Sequence, residues 1–100
     1  MVISTFPNIK ICKEIGCKLV KERLAACCNY FKISSNYIWQ GKLAEDSEVM
    51  MFIKTTAKNY RSVESFLRRN HPYQLPEIIA LPIDKGEKRY LNWIKQGVNK

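Results

Sequence analysis

Between Cys27 and Gln40 the chain reads Cys-Cys-Asn-Tyr-Phe-Lys-Ile-Ser-Ser-Asn-Tyr-Ile-Trp-Gln, with no glycine or proline to interrupt it. Aromatic and β-branched residues at this density specify a strand. A period of two sets Cys27, Asn29, Phe31, Ile33, Tyr37 and Trp39 on one face, and Cys28, Tyr30, Lys32, Asn36 and Ile38 on the other. Large apolar groups fall on both faces, and neither is a clean polar surface. One small domain cannot cover that much, so part of the strand is expected to meet another subunit.

The rest of the 100-residue chain fits a single domain, residues 1–100, long enough for a core without disulfides or a structural metal. No window approaches the roughly 20 apolar residues of a membrane helix. Met1-Val2-Ile3-Ser4-Thr5 has neither the basic nor the apolar region of a signal peptide, so a cytoplasmic address is expected. The four cysteines include the adjacent pair Cys27-Cys28 and no C-x-x-C, which favours free thiols over a disulfide framework or structural zinc. Cys12 and Cys17 should lie on different faces of a helix. The net charge of +8 raises nucleic-acid binding. The lysines and arginines, however, are scattered from Lys10 to Lys95 in the manner of solvated helix faces.

Taken in order, Val2–Phe6 reads as a short strand, with Asn8 placed to cap a helix. Cys12, Ile15, Gly16, Leu19 and Val20 mark one apolar face of that helix, which closes at Arg23-Leu24-Ala25-Ala26. After the long strand, Gly41-Lys42 opens a turn and the acidic cluster Glu45, Asp46 and Glu48 is expected to close it. Val49–Ile53 then forms a central strand paired antiparallel with the first arm. Thr55-Thr56 is expected to cap a second helix through Tyr60, Val63, Phe66 and Leu67, ending near Asn70.

The stretch from His71 to Ile83 carries three prolines and the only histidine. Pro72 and Pro76 hold His71 and Leu75 extended, so the loop should be stiff enough to position side chains. Ile78–Leu81 is expected to form a buried strand, Asp84-Lys85-Gly86 a turn, and Tyr90, Leu91 and Ile94 one face of a last helix stopped at Gly97. The order βαββαβ plus a helix predicts an α+β fold of the ferredoxin-like, split βαβ kind, with an antiparallel sheet.

Five blocks in this order resemble the CutA divalent-cation tolerance family: Glu22 to Asn29, Trp39-Gln40-Gly41-Lys42, Ile53-Lys54-Thr55-Thr56, His71 to Ile78, and Tyr90 to Ile94. Gln74-Leu75 stands where the family usually has Glu-Val, and Cys28 where it has Val; the first strand usually begins several residues earlier. Gln74 removes one carboxylate from the expected site. The resemblance implies a homotrimer of ferredoxin-like subunits, similar in architecture to the PII signalling proteins, with clefts between subunits. It implies a role in tolerance of copper and other divalent cations, and names no protein partner.

Cys27, His71 and Glu77 are the expected metal ligands, converging at a subunit cleft with Lys54 and Tyr73 nearby and Trp39 as a wall. A thiolate with an imidazole suits copper or zinc better than magnesium. The plainer alternative makes Cys27 a small buried group, His71 a donor to backbone, and Glu77 the ion-pair partner of Lys54. Catalysis is not expected: a Cys27-His71 pair would need a third group to orient the imidazole, for which Glu77 is the nearest candidate by sequence, and no nucleophile elbow, phosphate-cradling loop or paired-carboxylate signature is present. Two further alternatives are a PII-like small-ligand sensor or scaffold without metal, and an RNA-binding module with the same element order. Glu48 to Lys54, with one aromatic and no glycine, matches poorly the stacking strand that RNA binding requires.

Overall fold

Asn8 sets the first boundary. Its side-chain oxygen accepts the Ile11 amide at 2.9 Å and caps helix α1 (Ile9–Lys21) directly behind strand β1 (Val2–Phe6). The computed structural model describes residues 1–99. Helix α1 stops where Arg23 turns left-handed at φ 59°. The Arg23 amide donates to the Val20 carbonyl and that of Leu24 to the Leu19 carbonyl, which satisfies the last turn.

Strands β2 (Cys27–Trp39) and β3 (Lys42–Lys54) form an antiparallel hairpin with thirteen residues in each arm. Gln40 and Gly41 both have positive φ, 52° and 78°, as the two-residue turn that matches strand twist requires. That turn fixes the register from Trp39↔Lys42 onward. Glu45, Asp46 and Glu48 therefore lie within β3, opposite Asn36, Ser35 and Ile33, and do not close the turn as expected. Glu45, Asp46, Ser47 and Glu48 show no hydrophobic alternation of their own, which is why the acidic cluster resembles loop in the sequence.

The sheet order is β2-β3-β1-β4, with β4 the two-residue strand Ile79–Ala80; every pairing is antiparallel, and β3 is central as expected. One face carries Val2, Phe6, Val49, Met51 and Ile53. These residues pack with Cys12, Ile15 and Leu19 of α1 and with Val63, Phe66 and Leu67 of helix α2 (Tyr60–Asn70) to make the core. Cys12 is buried and Cys17 exposed, as their helical spacing requires. All four cysteines are free thiols.

Three local expectations are corrected. Thr55 and Thr56 do not cap α2: the Thr55 hydroxyl donates to the Leu24 carbonyl at 2.7 Å, and a short 3-10 turn, Ala57–Asn59, precedes the helix. Strand β4 is only Ile79–Ala80 and is exposed, because it is the sheet edge, pairs with β1 alone, and is bracketed by Pro76 and Pro82. Residues 81–87 are irregular and make no turn at Asp84-Lys85-Gly86. Gly86 lies under Leu91, where a Cβ would come within 2.7 Å of the leucine side chain. Helix α3 (Lys88–Gly97) is capped by Glu87, which accepts the Tyr90 amide at 2.9 Å.

Core residues on β3 end at Val49, and the outer hairpin continues past the helices along a 45 Å long axis. Ile38 and Leu43 face each other there and are 67% and 65% exposed; Tyr37 and Trp39 are exposed on the opposite face. Two substitutions separate core from turn. Met51→Ala should cost about 2–5 kcal/mol through lost packing and a cavity. Gly41→Ala meets open space and should cost only the left-handed strain, about 1–2 kcal/mol. Urea unfolding of both variants checks the order, and a larger loss at Gly41 would contradict it.

Candidate functional site

His71 closes α2 in the extended geometry that Pro72 imposes, with φ −75° and ψ 137°, and its ring is held at both nitrogens. Nδ1 accepts the Tyr73 amide at 3.1 Å, so the ring proton sits on Nε2, which donates to the Thr5 carbonyl at 2.8 Å. The ring stacks on Phe6 with centroids 4.5 Å apart and leans on Tyr73 at 5.0 Å. Burial lowers its pKa below the usual histidine value, against smaller opposing effects of the Thr5 carbonyl and the Glu48 carboxylate. A neutral ring thus staples the proline loop to β1.

The Tyr73 hydroxyl reaches β3, donating to Glu48 Oε2 at 2.8 Å. Burial and this bond push the phenol pKa well above its ordinary value. Between the loop and the helix-free face of the β2–β3 arm lies an open cleft of about 660 Å³. Alternate residues of β2 and β3 supply one side, including Tyr37, Trp39, Asp46 and Glu48; Tyr73, Leu75 and Glu77 supply the other. The Tyr37 hydroxyl donates to Asp46, which raises its pKa. Glu77 is half-buried, and burial, followed by the nearby Glu48 charge, raises its carboxyl pKa.

Of the six residues expected in the site, Trp39, Tyr73 and Glu77 line this cleft, and His71 buttresses it from the Thr5 side. Cys27 and Lys54 do not reach it. They pair with each other at the far end of the hairpin, whereas Glu48 pairs with Ile33; the two positions are six steps apart on β3, about 20 Å along the strand. Lys54 instead donates to the Tyr90 hydroxyl at 3.1 Å, and its ammonium lies 5.5 Å from the Tyr90 ring centroid. It is not the partner of Glu77. No group of three His, Cys, Asp or Glu side chains able to hold a metal exists among the described residues of one chain. Cys27, His71 and Glu77 therefore do not form a metal centre within a single chain, and both nitrogens of His71 are already committed. Burial pushes the Cys12 and Cys28 thiols up to about 11 and about 12, which makes them poor thiolate donors.

Asp46, Glu48 and Tyr37 were missed as site residues. Extending the ladder outward from a two-residue turn at Gln40-Gly41 would have placed Glu48 opposite Ile33 and Asp46 opposite Ser35, both facing the cleft.

A sequence model described as the CutA1 divalent ion tolerance protein matches residues 1–97. The chain belongs to that family. Mouse protein CutA is 47% identical over 93 residues, covering 92% of this chain and 52% of the relative, so the chain spans about half the length of the mammalian relatives it matches. The solved divalent cation tolerance protein of Thermus thermophilus superposes with a TM-score of 0.94 at 38% identity, covering 98% of this chain and 96% of that one. A protein from Archaeoglobus fulgidus described as periplasmic divalent cation tolerance protein CutA superposes at 0.95 with 34% identity, covering 98% and 96%.

In this CutA-family chain the blocks that carry the resemblance are the junctions of the fold. Glu22 and Arg23 hold the C-terminal segment, with the Glu22 and Arg23 carbonyls accepting the Asn99 side-chain and backbone N–H groups. Trp39 to Lys42 is the hairpin turn, and the block from His71 is the stapled loop.

His71 also sets a pH dependence. Its folded pKa is depressed, so its contribution to stability is complete above the unfolded value near 6.5 and is lost as pH falls through the folded value. Protonating Nδ1 would also turn a donor toward the Tyr73 amide. Between about pH 7.5 and about pH 5.5 the protein should lose more unfolding free energy than a His71→Gln variant, as read by urea titration. Equal losses would contradict the staple.

Proposed function

We propose that the chain assembles as a homotrimer of ferredoxin-like subunits with a PII-like arrangement and serves in the tolerance of, or response to, divalent metal ions. The observation that carries this reading is the β2–β3 arm, apolar on both exposed faces in a chain of the CutA1 family. Copies of the same chain are the natural cover for a surface of that kind. The role is binding, not catalysis: Cys27 lies far from His71, so the nucleophile pair considered from sequence is not assembled within a chain. The four free thiols favour a reducing compartment and a cytoplasmic address, although the Archaeoglobus fulgidus relative is described as periplasmic. No helix among the described residues is long and apolar enough to cross a membrane.

In this reading copper or a similar cation is held at clefts between subunits. Cys27 and Glu77 are the donors and come from different copies, because one chain keeps them apart. His71 acts by positioning the loop that carries Glu77. A metal-free sensor of the PII-like kind is the second reading, favoured by the preformed cleft. Nucleic-acid binding is disfavoured, since the helix-free face presents Asp46 and Glu48 where a phosphate backbone would run.

Titration with copper, and with zinc to avoid thiol oxidation, tests the metal reading. Cys27→Ser and Glu77→Gln should each weaken affinity by about tenfold or more. Unchanged affinity in both variants would remove these donors and leave the sensor reading.

A further inference from the structure

The net charge of the chain is not spread evenly over the fold. Helices α1, α2 and α3 hold ten lysines and arginines, all exposed, against two glutamates. That surplus of eight equals the +8 of the whole chain, so the strands and loops balance.

Burial decides where the charge points. Cys12, Ile15, Gly16 and Leu19 form the inward side of α1, which turns Lys10, Lys13 and Lys21 away from the sheet. Val63, Phe66 and Leu67 do the same for Arg61, Arg68 and Arg69 of α2. Both helices cover one face of the sheet, so these six cations share one outer layer. The single ion pair among the described residues is Arg89–Glu87, and it involves none of them. Glu64 is occupied by the Tyr60 hydroxyl, and Arg69 is braced on the outer side by Ser65.

Folding does not call for this arrangement. The N-terminus of a helix is the positive end of its dipole and favours acidic residues, yet the first turns of α1 and α2 hold no acid, and Lys10 and Arg61 stand there as second residues. Lys10 and Lys13 repel at a spacing of three. Self-assembly does not call for it either. The outer side of α2 exposes no large apolar side chain among the described residues and that of α1 exposes Ile9 and Val20, whereas the surface that copies of the chain cover is the aromatic arm. Two such cationic layers would repel each other, so the layer stays open in the assembly.

A surface of this kind fits a polyanion bound through its charges. Insertion into a membrane would need exposed Trp, Phe or Leu, and single-stranded nucleic acid would need aromatic rings for its bases; α1 and α2 present neither outward among the described residues. A flexible chain of phosphates needs cations alone. Lys10 to Lys21 span about 16 Å along α1 and Arg61 to Arg69 about 12 Å along α2, with guanidinium forks suited to phosphate oxygens.

We propose that the outward sides of α1 and α2 dock inorganic polyphosphate, held by Lys10, Lys13 and Lys21 on one helix and Arg61, Arg68 and Arg69 on the other. The proposal goes beyond the metal-response reading and does not rest on it, since both helices belong to one chain and no metal takes part.

Fluorescence anisotropy of end-labelled long-chain polyphosphate, titrated with the intact protein in chelator at about 0.15 M salt, tests this. Saturable binding that falls steeply as salt rises is expected. Lys10→Glu/Lys13→Glu/Arg61→Glu should weaken it at least about tenfold, and the glutamine version of the triple should fall in between. Melting temperature should hold or rise, because acids now stand at two helix N-termini, and light scattering should give an unchanged mass. Lys85→Glu/Lys88→Glu/Lys95→Glu removes the same charge from outside the layer and should weaken binding at most about twofold. Absence of saturable binding overturns the proposal. Equal losses in the two glutamate triples, or equal affinity for poly-glutamate, would reduce it to bulk charge and overturn it too. So would binding confined to RNA or to anionic vesicles. Chelator is present throughout, so these outcomes are independent of whether copper binds.

Discussion

Everything distinctive in this structure follows from the pairing of β2 with β3, which continues outward after the helices have stopped. Backbone hydrogen bonding holds Cys27 through Trp39 against Lys42 through Lys54 in one register. The inner half of β3 is ordinary core strand, with Val49, Met51 and Ile53 buried under α1 and α2. The outer half has no layer on either side. A ladder can be extended by backbone pairing alone, but burying Ile38, Leu43, Tyr37 and Trp39 needs surface this chain does not supply.

The same arm makes the cleft, because its helix-free face is one wall. The other wall is the loop after α2, and its position depends on a single neutral imidazole. Pro72 fixes the backbone direction, His71 ties the loop to β1 through Thr5, and Tyr73 ties it to β3 through Glu48. Each tie uses a donor and an acceptor that are partly withdrawn from water, where an unmade bond would be costly. The loop can therefore hold Glu77 half-buried at the cleft wall, without a hydrogen bond or ion pair among the described residues.

Element order and type were legible in the sequence because the helices carry clean apolar faces and Gly41 marks a turn, although the turn is Gln40-Gly41 and Lys42 already belongs to β3. Asn8 was recognisable as a cap from its place after Pro7, and the exposed aromatic arm from its two-faced alternation. The acidic half of β3 was not legible, since Glu45, Asp46, Ser47 and Glu48 have loop composition and are held as strand only by their partners on β2. Ile78 to Leu81 reads as core because it is apolar, whereas only Ile78 packs against the core and Ile79 to Leu81 are exposed at the sheet edge. The expected ligand set failed within a chain for a related reason. Cys27 sits at the open end of the hairpin and Glu77 in the proline loop beside Glu48, and a sequence does not show that the strand register keeps the two apart.

The most direct measurement is the molar mass of the purified protein by light scattering across the micromolar range, with circular dichroism to confirm that it is folded. Closure of the β2–β3 arm by copies of the same chain predicts three times the 11.7 kDa of one chain, with Trp39 fluorescence shielded from an aqueous quencher. A folded species of 11.7 kDa that leaves Trp39 open to the quencher would contradict it.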